Sequence, residues 1–97
     1  MYTTRKSNCE VTVVMPCLNE AETIGSCVRK AITTLNENNI QGEVIVADNG
    51  STDKSVAIAR CLGARICQIS EHGYGSALAG GIEAAQGQYV VIGDADD

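Results

Sequence analysis

Short β-branched runs alternate with stretches of helical periodicity along this 97-residue chain, and that alternation constrains its fold more than any other feature. The run VTVVM, 11–15, reads as a buried strand, and Pro16 is expected to end it because proline cannot donate to a sheet ladder. In NEAETIGSCVRKAITTLNENN, 19–39, residues Ile24, Val28, Ala31, Ile32 and Leu35 recur at three- and four-residue steps, the signature of one apolar helical face. Asn19 with Glu22 three residues on resembles a capping box. EVIVA, 43–47, is a second strand, and DNGSTD, 48–53, is a turn rich in residues that bond their own backbone. A short helix is expected over 54–62 with Gly63 as its left-handed cap. ARICQIS, 64–70, is a third strand, SEHGYG, 70–75, a loop, SALAGGIEAAQ, 76–86, a third helix and QYVVIG, 88–93, a fourth strand. The polar residues 1–8 are expected to fray. The fold class that follows is α/β: a three-layer α/β/α arrangement, with a mainly parallel four-stranded sheet built from right-handed βαβ units. There is no linker or internal repeat, so residues 1–97 read as one domain.

Composition narrows the function. Apolar residues make up 44% of the chain, with no Trp, no Phe and three Tyr, so the core is aliphatic. Net charge is −5, and all seven basic residues lie at or before Arg65. From Ile66 onward the chain carries Glu71, Glu83, Asp94, Asp96 and Asp97 with no Lys or Arg. That excludes a nucleic-acid surface, which needs a basic stripe. A phosphate meeting this half must find its positive charge in a metal ion or in backbone N–H groups. The five cysteines are odd in number and form no C-x-x-C, so they read as reduced thiols in a cytoplasmic protein. The apolar runs are too short for a membrane span.

Polar and acidic residues gather where the expected strands end: Pro16 to Glu20, Asp48 to Asp53, Glu71 to Gly75 and Asp94 to Asp97. In open α/β sheets that edge binds ligands, at the switch point in strand order. Asp94 and Asp96 stand two residues apart, which in extended chain turns both carboxylates to one side. At roughly 5 to 7 Å they would repel by roughly 2 to 3 kcal/mol. A hard divalent cation such as Mg²⁺ or Mn²⁺ removes that repulsion. A solvated acidic turn is the alternative for an isolated D-x-D.

The ordered set V-V-M-P-x-L-N-E, D-N-G-S-T-D, G-Y-G-x-A-L-x-x-G-I-x-A-A-x-G and D-A-D-D resembles family-two glycosyltransferases with the GT-A fold, across about residues 11–97. The last two motifs resemble most the branch of dolichyl-phosphate mannose and polyprenyl-phosphate glucose synthases. The resemblance implies that Pro16, Leu18, Glu20, Asp48 and Asn49 hold the base and ribose of a UDP- or GDP-linked sugar. It further implies that Asp94, Ala95 and Asp96 meet the diphosphate, with Asp94 and Asp96 binding Mg²⁺ or Mn²⁺. The implied reaction is inverting transfer to a lipid-phosphate or glycan acceptor, a polyprenyl phosphate being one candidate. Three positions depart from the family: Leu18 where many relatives have Tyr, Asn49 in place of a second Asp, and Ala79 where many carry Arg or Lys.

Family members continue past the D-x-D with the acceptor half, so the chain is expected to be a truncated nucleotide-binding part without transfer activity of its own. No catalytic base is assigned within it. The full-length protein is expected in the cytoplasm or at the cytoplasmic face of a membrane. A sheet ending at its fourth strand is expected to expose an edge and to favour self-association. A non-catalytic α/β remnant without nucleotide binding is the main alternative; a phosphoacceptor module lacks an Asp after the third strand. Asp53 reads as a cap or turn former, His72 as a loop residue or ligand contact, and Gly80 with Gly81 as positions that allow close packing or open a space under the nucleotide. Gly73 and Gly75 read as backbone turns rather than a dinucleotide fingerprint.

Overall fold

The computed structural model describes residues 8–96. Residues 1–7, most of the stretch expected to fray, and Asp97 lie outside the described residues. The elements run β1 (Val11–Cys17), α1 (Ile24–Glu37), β2 (Gly42–Asp48), α2 (Ser55–Cys61), β3 (Arg65–Gln68), α3 (Tyr74–Ala84) and β4 (Tyr89–Ile92). All strand pairs are parallel, in the order β3-β2-β1-β4. The chain therefore builds outward from β1 to β3 and then returns to the far side of β1, which puts the topological switch between β1 and β4.

Alternation along the strands divides the core between the two faces. Met15, Cys17, Val44 and Val46 face α1 and α2, packing on Ile24, Cys27, Val28, Leu35 and Ala59. Val14 and Ala47 face α3 through Ala77, with Ile69 and Leu78 alongside. The three expected layers are present. On the α3 side the glycine pair sets the spacing. A Cβ at Gly80 would come 2.3 Å from Ile69 Cδ1, and one at Gly81 would come 2.5 Å from Val14 Cγ1. Helix and sheet thus touch where a side chain would otherwise stand.

Several local expectations shift. Pro16 lies inside β1, opposite Ala47, instead of ending it. Even-numbered β1 residues turn their backbone groups toward β4, as the Val14 carbonyl accepting from Gly93 N–H shows. Pairing with β4 stops at Val14, so the N–H that proline lacks has no partner to lose. The capping box does not form: α1 starts at Ile24, its N-cap is Thr23, and no side chain caps it. Gly63, at φ +106°, ends α2 as expected. Ala64 N–H donates to Ala59 O and Gly63 N–H to Arg60 O, the two bonds of a Schellman turn. Helix α3 begins two residues early, at Tyr74, because Gly73 at φ +114° turns the chain into it.

The same helix also ends early, since Glu43 pulls the chain out of it. Glu43 accepts from the Gln86 N–H at 2.8 Å, from the Thr12 hydroxyl at 2.7 Å and from Arg65 at 3.0 Å. Gly87 N–H in turn donates to Thr12 Oγ1. Burial alone would raise the Glu43 carboxyl. The Gln86 N–H, the Thr12 hydroxyl and Arg65 outweigh it and hold the group below its ordinary range. A depressed folded-state pKa adds stability above about pH 4.5, and that stability is lost as pH falls through the lower folded value. Glu43→Gln is expected to cost about 1 to 2 kcal/mol at pH 7. In urea titrations the gap between the two proteins should close toward pH 3; a gap independent of pH would refute this account.

Among the described residues strand β4 pairs only with β1, and Tyr89, Val90, Val91 and Ile92 are all exposed. All five cysteines are thiols. Among the described residues no helix is long and apolar enough to cross a membrane.

Candidate functional site

A cavity of about 320 Å³ opens at the carboxyl edge of the sheet, at the β1/β4 switch point. That is within the range of small-ligand sites. Pro16 reaches it from the end of β1, Leu18 and Glu20 from the loop after β1, and Asn49 from just past β2. His72 reaches it from the loop before α3, Tyr74 from the first residue of α3, and Asp94 to Asp96 from beyond β4. Seven of the eight residues singled out in the sequence therefore share one cavity. Asp48 does not line it.

Asp48 is spent inside its own turn. It is buried, accepting the Gly50 and Ser51 N–H groups on Oδ2 and the Ser51 hydroxyl on Oδ1. Ser51, Thr52 and Asp53 are bonded to the loop after β1. Asn19, at φ +54°, donates its N–H to Ser51 Oγ and accepts the Thr52 and Asp53 N–H groups on Oδ1. Glu20 N–H donates to Ser55 Oγ, and Ala21 N–H to Asp53 Oδ2. Asp53 also accepts the Ser55 hydroxyl and N–H, and these bonds hold its carboxyl below the ordinary range. It is the turn former expected from sequence, with a second role in joining two loops. This lattice of short polar side chains fixes the floor from which Glu20 and Leu18 emerge; Leu18 is exposed.

The D-x-D segment is held by its middle residue. Ala95 is buried, and its carbonyl accepts the Thr23 hydroxyl at 2.7 Å. The chain bends at Ala95 instead of running straight, yet Asp94 and Asp96 both stay exposed and line the cavity. Among the described residues no three His, Cys, Asp or Glu side chains come together as a complete metal cage. Two carboxylates on one wall still fit Mg²⁺ or Mn²⁺, hard ions that take one or two carboxylates and fill their shell with water and phosphate oxygen. Glu20, Asp94 and Asp96 make the cavity acidic, and among the described residues His72 is the one lining side chain able to carry positive charge. Burial pushes the Cys17 thiol up, with partial relief from the Ser55 hydroxyl. It is a neutral wall, not a nucleophile.

Sequence reading singled out neither Tyr74 nor Ala77 for this cavity. Tyr74, 63% exposed, sits in it as the only aromatic side chain besides His72 among the described residues. Its signal was faint: one Tyr in a glycine-rich stretch that reads first as a backbone turn.

The profile of "Glycosyl transferase family 2" matches residues 12–97. A low-salt glycan biosynthesis hexosyltransferase of Haloferax volcanii is 41% identical over 86 residues, covering 89% of this chain and 21% of that protein. A dolichyl-phosphate hexose transferase of the same organism is 36% identical over 88 residues, covering 91% of this chain and 37% of that one. The chain thus spans between about a fifth and somewhat over a third of the length of these relatives. Glucosyl-3-phosphoglycerate synthase from Mycobacterium tuberculosis, crystallised with Mn²⁺, UDP and glucosyl-3-phosphoglycerate, superposes with a TM-score of 0.76 at 33% identity. The match covers 91% of this chain and 34% of the synthase, which has also been crystallised with Mg²⁺ and UDP. The motif order, the all-parallel sheet and these matches agree: the chain belongs to glycosyl transferase family 2 and has the α/β architecture of the GT-A fold.

Proposed function

We propose that this chain is the nucleotide-sugar-binding part of an inverting, metal-dependent glycosyltransferase that takes a UDP-linked sugar and serves a lipid-phosphate acceptor. One observation carries the reading: an acidic cavity at the β1/β4 switch point, into which Glu20, Asp94 and Asp96 project from two separate loops. Three carboxylates, with no Lys or Arg beside them among the described residues, repel a free diphosphate, so the site suits a diphosphate only together with a cation. When bound, Mg²⁺ or Mn²⁺ would neutralise charge developing on the leaving diphosphate. Asp94 and Asp96 would hold it, while Thr23 keeps their segment in place through Ala95. Glu20 and Leu18 would meet the nucleoside from the loop after β1, and Tyr74 would offer an aromatic face at the opposite wall. Direct displacement with inversion needs no nucleophile from the chain, and the one thiol in the cavity is protonated. A lipid-phosphate acceptor brings its own anionic oxygen, which reduces the need for a general base. The dolichyl-phosphate hexose transferase among the relatives supports that acceptor class, and the UDP complex of the Mycobacterium tuberculosis synthase supports uridine.

Calorimetric titration of the chain with UDP and with GDP, each with and without Mn²⁺, tests the proposal. UDP is expected to bind with Mn²⁺ and to lose at least tenfold in affinity without it, with GDP weaker in both conditions. Absence of binding at millimolar UDP with Mn²⁺ would favour a non-catalytic remnant.

A further inference from the structure

The Asn49 amide is engaged on both of its atoms, and all three of its partners lie on the β3–α3 connection. Nδ2 donates to Glu71 O at 2.7 Å and to Ile69 O at 3.1 Å, and Oδ1 accepts the Gly73 N–H at 2.8 Å. Its own N–H donates to Cys17 O at 2.9 Å. One residue therefore joins the ends of β1 and β2 to the loop that delivers His72 and Tyr74 to the cavity. Asn49 is buried, whereas Glu71, His72, Gly73 and Tyr74 are all exposed. The side chain is the fixed point, and the loop hangs from it.

We infer that Asn49 is a positioning residue that latches the β3–α3 connection as one wall of the nucleotide cavity, and that an amide is required there where a carboxylate would fail. The inference rests on the proposed nucleotide reading for what the wall does, but not for the latch itself. The chemistry is a matter of donors. Two of the three partners are carbonyl oxygens, which need N–H groups; an ionised carboxylate has none. An aspartate could keep the Gly73 bond, but it would set an oxygen against Glu71 O at the present 2.7 Å, so the loop must move away. This also gives a physical reason for the departure at position 49, where an Asp was expected by resemblance.

The test compares Asn49→Asp and Asn49→Ala with the unaltered chain in two measurements: hydrogen exchange across residues 69–76, and affinity for UDP with Mn²⁺. Exchange in that stretch is expected to be at least fivefold faster in N49D, and no slower than in N49A, with UDP affinity at least tenfold weaker. Asp fills almost the same volume as Asn, so a space-filling role would leave N49D like the unaltered chain and N49A the only altered one; that result overturns the latch. Weakened UDP binding with unchanged exchange would make Asn49 a nucleotide contact instead, and would also overturn it. If the unaltered chain binds no UDP, the nucleotide reading fails while faster exchange in N49D still supports the latch.

Discussion

Gly81→Ala is expected to lower stability by about 2 kcal/mol, although alanine is the better helix former by about 1 kcal/mol. The new Cβ would stand 2.5 Å from Val14 Cγ1 and 3.2 Å from the Ala47 Cβ. Carbon atoms prefer about 3.5 to 4.0 Å, so the helix must lift or the central strands must yield. Val14 and Ala47 are wholly buried in the two middle strands of the sheet, and a β-branched side chain has little rotamer freedom to give. Overpacking of this kind costs about 1 to 3 kcal/mol, occasionally more; with rigid neighbours the upper end applies, and it outweighs the gain in propensity. For a domain of this size the melting temperature should fall by roughly 10 °C. The same helix supplies its own control. A Cβ at Gly75 would meet nothing within 4 Å, so Gly75→Ala should be neutral or stabilise by up to about 1 kcal/mol. At Gly80 the obstacle is the terminal methyl of Ile69, which can rotate away, and an intermediate effect follows. Thermal melts of the three variants must rank in that order. Equal effects at 75 and 81 would mean that the helix does not rest on the sheet through its glycine.

The layers were legible because alternation of periodicities leaves few alternatives to a parallel sheet with helices on both faces. Legibility fell where one residue type serves two masters. Asn19, read as a helix cap, instead accepts the Thr52 and Asp53 N–H groups of the second loop, because α1 starts only at Ile24, with Thr23 at its N-cap. Asp48 was expected at the ligand, yet its carboxylate is consumed by the turn it starts. Local sequence can show that such residues want hydrogen bonds; it cannot show whether their own turn or a loop 33 residues away supplies them. Asn49 is the clearest case: its three partners, 20 to 24 residues on, become visible only once β2 and β3 lie side by side. By contrast Glu20, Asp94 and Asp96 were readable, since they follow strands directly and reach the switch-point edge by topology alone.

The acidic wall gives a prediction with a change of sign. With Mn²⁺ present, Asp94→Asn and Asp96→Asn are each expected to weaken UDP binding by about a hundredfold. On the proposed reading each change removes one anionic ligand from an ion that would have at most two from this wall. With metal chelated, the same variants should bind UDP more tightly than the unaltered chain. The reason is electrostatic: a carboxylate about 6 Å from a phosphate charge repels it by roughly 3 kcal/mol at an effective dielectric near 20, and asparagine removes that repulsion while keeping the shape. Both residues are exposed, so folding stability should change by no more than about 0.5 kcal/mol, and the segment remains tied down by Thr23 through the Ala95 carbonyl. Thr23→Val removes that tie without touching either carboxylate. It should weaken Mn²⁺-dependent UDP binding by about tenfold and leave metal-free binding unaltered. A simple acidic patch that repels anions would show the gain without metal but no loss with it. A metal site shows both, and calorimetry with Mn²⁺ and then with chelator separates the two in one pair of titrations.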